Sequence, residues 1–403
     1  MKRFSLSMLA FVVTSFCVLN FVASPAKSCP FCPGPSLTLT EQVAQADAAV
    51  LVKWLSSRPP TLSDPGLCEL EVVDVDHQPD GSKLAERGKI KLTRHCAGKV
   101  GDHFMLFGTS VESTIEWGAP LAASKTAYFY IRNAPKLGAE TTERLQYFLK
   151  YLEASDKLVA DDAFGEFANA AYADVAKMSG ELPRLKLRKW LTSKEVSTSH
   201  LGLYGMLLGL CGTDEDAPIL EAKITEETDE IRIGIDGVMG GYLLLTGEKG
   251  LKLLEETKLT NKKAPFAETY AALQAVRFMW QYGDGRISPD RLRQSMRLML
   301  DRPELADLII ADLSRMKDWS VQDKLMSSYD QETSSTPIKR AIVRYILSSI
   351  KDTAGATGSE DETKLPQHVV KGQQYLKELE VKDPKTVNQA KPLTRPRVGG
   401  VRD

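Results

Sequence analysis

The residues most able to do chemistry are cysteines. The 403-residue chain has six, at Cys17, Cys29, Cys32, Cys68, Cys96 and Cys211. Cys29-Pro-Phe-Cys32 is the closest pair. Two thiols at that spacing can exchange with a disulfide when a helix N-terminus lowers the pKa of the first and makes it the attacking thiolate. That chemistry needs a strand before the motif and a helix after it. Here nothing that reads as folded precedes Cys29, and Pro33-Gly-Pro-Ser36 breaks a helix at once. A c-type haem site needs histidine after the second cysteine, where Pro33 stands. A four-cysteine zinc site needs a second close pair, which Cys68 and Cys96 do not form. The pattern points instead to structural disulfides among Cys29, Cys32, Cys68 and Cys96. Four cysteines allow three pairings, and the spacing leaves all three open. Cys211 is left over on a leucine-rich helix, where a free thiol behaves as a small buried hydrophobe.

Other chemistries find less support. The histidines, His77, His95, His103, His200 and His368, form no His-x-His or His-x-x-x-His pair. His95 and His103 fall on neighbouring expected strands and read as surface positions. No metal site and no cofactor is expected. There is no Gly-x-Ser-x-Gly, phosphate-loop or dinucleotide fingerprint. Gly234-Ile-Asp-Gly-Val-Met-Gly-Gly241 is rich in glycine, but no strand precedes it. It reads as a place where helices turn or pack closely. The acidic neighbours Asp161-Asp162, Glu226-Glu227 and Glu255-Glu256 point about 100° apart on a helix and cannot converge as an acid–base pair. They read as solvated faces, as do the basic spots Lys186-Leu-Arg-Lys189 and Asn261-Lys-Lys263. A net charge of -1 argues against a nucleic-acid partner.

The elements that must position these residues fall into four segments. Lys2 and Arg3 precede an uncharged, mostly apolar run from Phe4 to Ala23, and small residues follow. This is the layout of a secretory signal peptide, so residues 1–28 are expected to be removed on export to a periplasmic or extracellular space. Membrane contact is expected only through that segment, if it stays uncleaved. Cysteine clustering agrees, because oxidising compartments preserve disulfides. From 29 to 135 the pattern is β. Strands are expected at Ala48–Trp54, Leu67–Asp76, Lys89–Arg94, His103–Gly108 and Ala127–Arg132, with Asp80-Gly81 in a turn. Five short strands suggest a small barrel.

From 136 to 351 only helical periodicity is found. Leu145, Phe148, Leu149 and Leu152 share one face, and Asp156 can cap the next helix. Tyr204–Ile224 reads as two short helices joined by a tight polar turn, with a cousin at Tyr242–Leu259. Glycines at the ends of leucine-rich helices recur at Gly209, Gly247 and Gly283, at spacings of 38 and 36. Units of this kind cannot bury an apolar face alone and must stack. After Asp352 the apolar periodicity fades. Residues 352–403 are expected to be a disordered polar tail, with Lys371–Leu379 able to form one isolated helical turn.

Three resemblances attach to these stretches. Cys29-Pro-Phe-Cys32 resembles the glutaredoxin active site, which implies a thiol–disulfide oxidoreductase using Cys29 and Cys32. The set Cys29-Pro-Phe-Cys32, Ala46-Asp-Ala-Ala-Val-Leu-Val52, Lys89-Ile-Lys-Leu92 before Cys96, and Gly101-Asp-His-Phe-Met-Leu-Phe-Gly108 resembles the netrin-type module. That module is an OB-like barrel shared with tissue inhibitors of metalloproteinases. The resemblance implies an inhibitor whose Cys29 meets a protease zinc. This chain has Cys-x-x-Cys where the family has Cys-x-Cys, and fewer cysteines, which puts that wedge in doubt. The helix pairs of 136–351 resemble degenerate HEAT repeats. The expected architecture is α+β: a small all-β, OB-like barrel, then a HEAT-like helical array. The expected function is that of an exported, non-enzymatic scaffold that binds a protein partner, with the inhibitor and the oxidoreductase as alternatives.

Overall fold

The computed structural model describes residues 29–32, 36–84, 88–112, 114–228, 231–354 and 365–391. The expected signal segment lies outside the described residues. Among those described, no helix is long and apolar enough to cross a membrane.

A short helix, α1 (Leu39–Gln45), starts at a capping box. The Thr38 hydroxyl accepts from Glu41 N, and the Glu41 carboxylate accepts from Thr38 N at 2.8 Å. Six strands follow: β1 (Ala48–Arg58), β2 (Leu67–His77), β3 (Lys89–Leu92), β4 (His103–Val111), β5 (Thr114–Trp117) and β6 (Leu121–Ala122). They form one antiparallel sheet in the order β3-β2-β1-β4-β5, with β6 also paired to β4. The sheet curls into a nearly closed barrel. Register shifts along β1–β2, at Ala49/Val50, Leu51/Val52 and Trp54/Ser56, supply the bend. Val50 and Val52 of β1 point into the barrel core with Leu70, Val72, Phe104 and Leu106. Leu51 of β1 and Met105 of β4 point the other way, into the helical core. Both faces of β1 are therefore covered, which is why Ala48–Val52 is apolar without a break.

The fifth expected strand is a helix. Residues Lys125–Arg132 form α2, whose N-terminus is capped by Ser124, its hydroxyl accepting from Ala127 N at 3.0 Å. Ala127, Tyr128, Tyr130 and Ile131 are buried at helical spacing. An aromatic, β-prone run was overruled by its cap and by the helices it packs against. The remaining strand comes from Thr114–Trp117, reached by a tight turn in which Glu112 has φ 54°.

The rest of the described chain is helical. It holds α3 (Thr141–Leu149), α4 (Lys157–Asn169), α5 (Tyr172–Lys177), α6 (Arg184–Thr192), α7 (Leu201–Cys211) and α8 (Ala217–Thr225). Then come α9 (Ile235–Thr246), α10 (Glu248–Leu254) with a π-helical turn at Glu255–Leu259, α11 (Phe266–Tyr282), and α12 (Pro289–Leu298). Last are α13 (Ala306–Arg315), α14 (Gln322–Ser328), α15 (Thr336–Lys351), α16 (Gln367–Lys382) and α17 (Pro384–Ala390). The related stretches Tyr204–Ile224 and Tyr242–Leu259 fall on α7–α8 and on α9–α10. Gly247 and Gly283 do terminate helices, at the ends of α9 and α11. Gly209 does not. It lies inside α7, where a Cβ would stand 2.5 Å from Gly241 Cα. Gly202, Gly205 and Gly209 face Gly234, Gly237 and Gly241, so the backbones of α7 and α9 touch without side chains between them.

Ion pairs tie successive helix pairs together at matching sequence offsets. Arg232 Nε donates to Glu268 at 2.8 Å, 36 residues on. Arg291 donates to Glu255 at 2.6 Å, also 36 residues away, and Arg277 to Asp312 at 2.7 Å, 35 residues away. Burial pushes the Glu268 carboxyl up, but hydrogen bonds from Arg232 and Lys258 outweigh it and hold the group below its ordinary value. Asp312 ends above its ordinary value, since burial there outweighs Arg277.

The expected disordered tail does not hold for 366–391. Helices α16 and α17 pack against α15 and bury Val369, Leu379, Val387 and Ala390. Gln322 Nε2 donates to Ser349 Oγ at 3.0 Å and to the His368 carbonyl at 2.9 Å, which pins the start of α16. The sparse stripe Val369, Gly372, Leu376, Leu379 has helical spacing but is diluted by Lys, Gln and Glu. The rest of the expected tail, 355–364 and 392–403, lies outside the described residues.

Candidate functional site

Cys29–Cys32 and Cys68–Cys96 are the two disulfides, so one of the three pairings is realised. The structure does not bring the four cysteines together. Cys68 and Cys96 lie in the barrel core and tie β2 to the loop after β3. Cys29 and Cys32 belong to the helical core. Cys29 N donates to the Ala168 carbonyl at the end of α4, at 3.0 Å. Between the two cysteines, Phe31 inserts its ring against Phe278 of α11, with centroids 4.7 Å apart. Tyr172 meets the same Phe278 edge-on at 5.2 Å. Gly240 of α9 leaves the space Phe31 fills, since a Cβ there would reach 2.5 Å from the ring. The Cys-Pro-Phe-Cys loop is thus a plug seated across α4, α9 and α11. The boundary expected at 135 is crossed by this plug from one side and by Leu51 and Met105 from the other.

This placement bears on both cysteine chemistries. An attacking Cys29 thiolate needs access and a helix N-terminus. Cys29 is 5% exposed, and among the described residues the next helix begins at Leu39. A zinc-binding amine needs Cys29 N free, whereas that nitrogen is held by Ala168. Cys211, the unpaired thiol, is half-buried on α7, and burial pushes its pKa up to about 11. A thiol so shifted is a poor nucleophile near neutrality.

A buried polar node lies next to the plug, built from residues that no sequence motif links. Asp162 Oδ1 on α4 accepts from Leu39 N at 2.6 Å, and Oδ2 accepts from the Tyr130 hydroxyl at 2.9 Å. Glu166, one turn on, accepts from the Thr40 hydroxyl, and from Arg144 Nη2 of α3 at 2.6 Å. Asp162 and Glu166 are 8% and 6% exposed. Burial pushes Asp162 up to about 6, against the two hydrogen bonds it accepts. Burial likewise raises Glu166, opposed by Thr40 and Arg144. The node joins α1, α2, α3 and α4, so it fixes the barrel's leading helix onto the array. Asp161-Asp162 is therefore only half a solvated face. Adjacent helix positions diverge by about 100°, which leaves Asp161 in solvent and turns Asp162 inward. The same split separates exposed Glu256 from Glu255, which pairs with Arg291. In the basic spot at 186–189, Arg188 is bound to buried Asp216 at 3.3 Å.

A cleft of 680 Å³ opens beside this node, between α1, the end of β2 and the loop after α2. Its polar wall is His77, whose Nε2 donates to the Ala46 carbonyl at 2.9 Å, and Arg132, which is paired with Asp74. Its apolar wall is Val43, Ile131 and Leu137. Among the described residues, its charged groups Asp76, His77 and Arg132 each have a partner within the fold, and Lys136 has none. The histidines expected on neighbouring strands do not meet. His95 sits 2.8 Å from Ser57 Oγ, and His103 pairs opposite Lys53. Those partners are four residues apart on β1, about 13 Å. Among the described residues, no group of three or more His, Cys, Asp or Glu side chains is placed to hold a metal ion.

His200 forms a second buried cluster. It stacks on Phe164 with centroids 4.3 Å apart, and its Nδ1 lies 3.3 Å from Glu153 Oε1. Tyr204 donates to the same carboxylate and to the Leu152 carbonyl at 3.2 Å. The cluster anchors α7 to the loop between α3 and α4. No family model matches the chain, and no curated protein matches its sequence.

Proposed function

We propose that this chain is an exported, non-enzymatic scaffold that binds a protein partner along its helical array. The observation that carries the reading is a set of open grooves on the helical array. Three, of 210, 520 and 490 Å³, meet around Glu226 at the end of α8, and a fourth, of 450 Å³, lies between α13 and α15. Adjoining open grooves on an ion-paired frame suit a polypeptide better than a single small substrate. Two of the grooves share Glu226 and Arg232, and exposed Ile231, Ile233 and Phe266 flank them. Exposed apolar residues grouped beside a groove suit a protein contact. Two disulfides accord with an oxidising compartment, as the expected signal segment requires. The OB-like and HEAT-like resemblances are part of the same reading.

The test is cross-linking in the native host, comparing the wild-type chain with Ile231→Asp, Ile233→Asp and Phe266→Asp. The reading expects a defined cross-linked partner that is lost in these variants while the melting temperature stays unchanged. No cross-linked partner in the exported fraction, or capture that survives all three changes, would overturn it.

A further inference from the structure

Between residues 140 and 391 the chain has thirteen arginines. Eleven engage an acceptor: Arg144, Arg184, Arg188, Arg232, Arg277, Arg286, Arg291, Arg293, Arg297, Arg302 and Arg315 each reach a carboxylate, a carbonyl or a hydroxyl. Arg340 and Arg344 are the exceptions. Neither makes a hydrogen bond or an ion pair among the described residues. Both stand on α15 one helical turn apart, so they present two like charges on one face, an arrangement that disfavours a helix. Both line the 450 Å³ groove between α13 and α15. The groove's floor is apolar, made of Leu308, Ala311 and Ala341. Asp307 and Ser314 of α13 form the opposite rim, and Asp307 lies beyond ion-pair distance of either arginine.

We infer that this groove is the seat of an acidic peptide segment, in which carboxylates meet Arg340 and Arg344 while an aliphatic side chain covers the floor. The inference deepens the scaffold reading and rests on it. Charge complementarity selects the occupant. Arginine's fork pairs with carboxylates bidentately, and in a frame where the other arginines of this stretch are matched the missing partner is an anion. A free small anion would leave the apolar floor uncovered and would face Asp307 across the groove. An extended peptide covers the floor and can turn its own backbone N–H groups toward Asp307 and Ser314. Binding of this kind weakens as salt screens the pairs.

The test uses the full chain and a labelled peptide of alternating Glu and Leu, followed by fluorescence anisotropy. A Lys/Leu peptide of equal length and inorganic phosphate serve as comparison probes. The Glu/Leu peptide should bind, the Lys/Leu peptide should not, and phosphate should compete only weakly. Arg340→Ala and Arg344→Ala should each weaken binding roughly tenfold, with the lysine replacements intermediate. Absence of binding, equal binding of both peptides, full displacement by phosphate, or affinity unchanged in the alanine variants would each overturn the inference. The scaffold reading is judged separately by cross-linking in the host. A partner retained by the double alanine variant removes only this groove, whereas peptide binding without any host partner removes the scaffold reading.

Discussion

The barrel and the helical array solve the same problem with opposite means. The barrel closes around ten buried side chains and one long-range disulfide, Cys68–Cys96, and its strands pair through backbone ladders while alternate side chains fill the core. The array closes where side chains are missing. Its tightest contact, α7 on α9, is glycine against glycine, and two of its ion pairs reach buried carboxylates, Glu268 and Asp312, 36 and 35 residues away. A barrel core tolerates a change of side chain by repacking, but a backbone contact has nothing to move. Two features stitch the regions together: the Phe31 plug and the Asp162–Glu166 node.

Several substitutions would break or sharpen that contrast. The largest effect is expected at Gly241, whose Cβ would overlap the Gly205 carbonyl. Gly241→Leu should cost more than about 4 kcal/mol and abolish cooperative thermal unfolding of the array. Gly180→Ala, where a Cβ meets nothing, should stay within about 0.5 kcal/mol. Equal losses at both positions would erase the special status of the α7–α9 contact.

Phe31→Ala should cost about 4 kcal/mol, because a buried ring is removed from a fitted slot. Opening Cys68–Cys96 by double alanine substitution should cost about 3.5 kcal/mol by loop entropy. The location of the damage matters more than its size. Hydrogen exchange should quicken in α9 and α11 for Phe31→Ala, and in β2 and β3 for the cysteine pair. Damage to the barrel strands from Phe31→Ala would place the plug in the wrong region.

The smallest effect is electrostatic. Asp162 is raised from 3.8 to about 6 by burial. A group raised in the folded state stabilises fully below its unfolded value and loses that contribution as pH rises through the folded one. Wild-type stability should therefore fall by about 3 kcal/mol between pH 3 and pH 7 from this group. Asp162→Asn should flatten that slope, measured by denaturant titration across the same range. An unchanged slope would take the node out of the junction's energetics.

Much of this architecture was legible in the residues. β2 and β3 follow from alternation on either side of Asp80-Gly81, β1 from its short apolar run, and α7–α8 and α9–α10 from leucine runs. What escaped were features decided by tertiary contact. Lys125–Arg132 carries strand-like aromatics, and Ser124 as a cap was the available signal against a strand. The helical stripe of α16 is half polar. Asp162 looks like its neighbour Asp161 until the burial of α4 distinguishes them. Phe31 stands in the middle of a cysteine motif, and the slot it fills at Gly240 and Phe278 lies more than 200 residues away in the chain.

We propose that Cys29 and Cys32 clamp a structural plug rather than serve as a redox site. The direct measurement is graded reduction of the folded, exported protein, with thiol labelling read by peptide mass and helix content followed in parallel. The account predicts Cys29–Cys32 and Cys68–Cys96 as the two linkages, with Cys29 labelling only as helical signal from the array is lost, and no catalysis of insulin reduction. Ready labelling of Cys29 at full helix content, together with insulin-reducing turnover lost in Cys29→Ser, would contradict it.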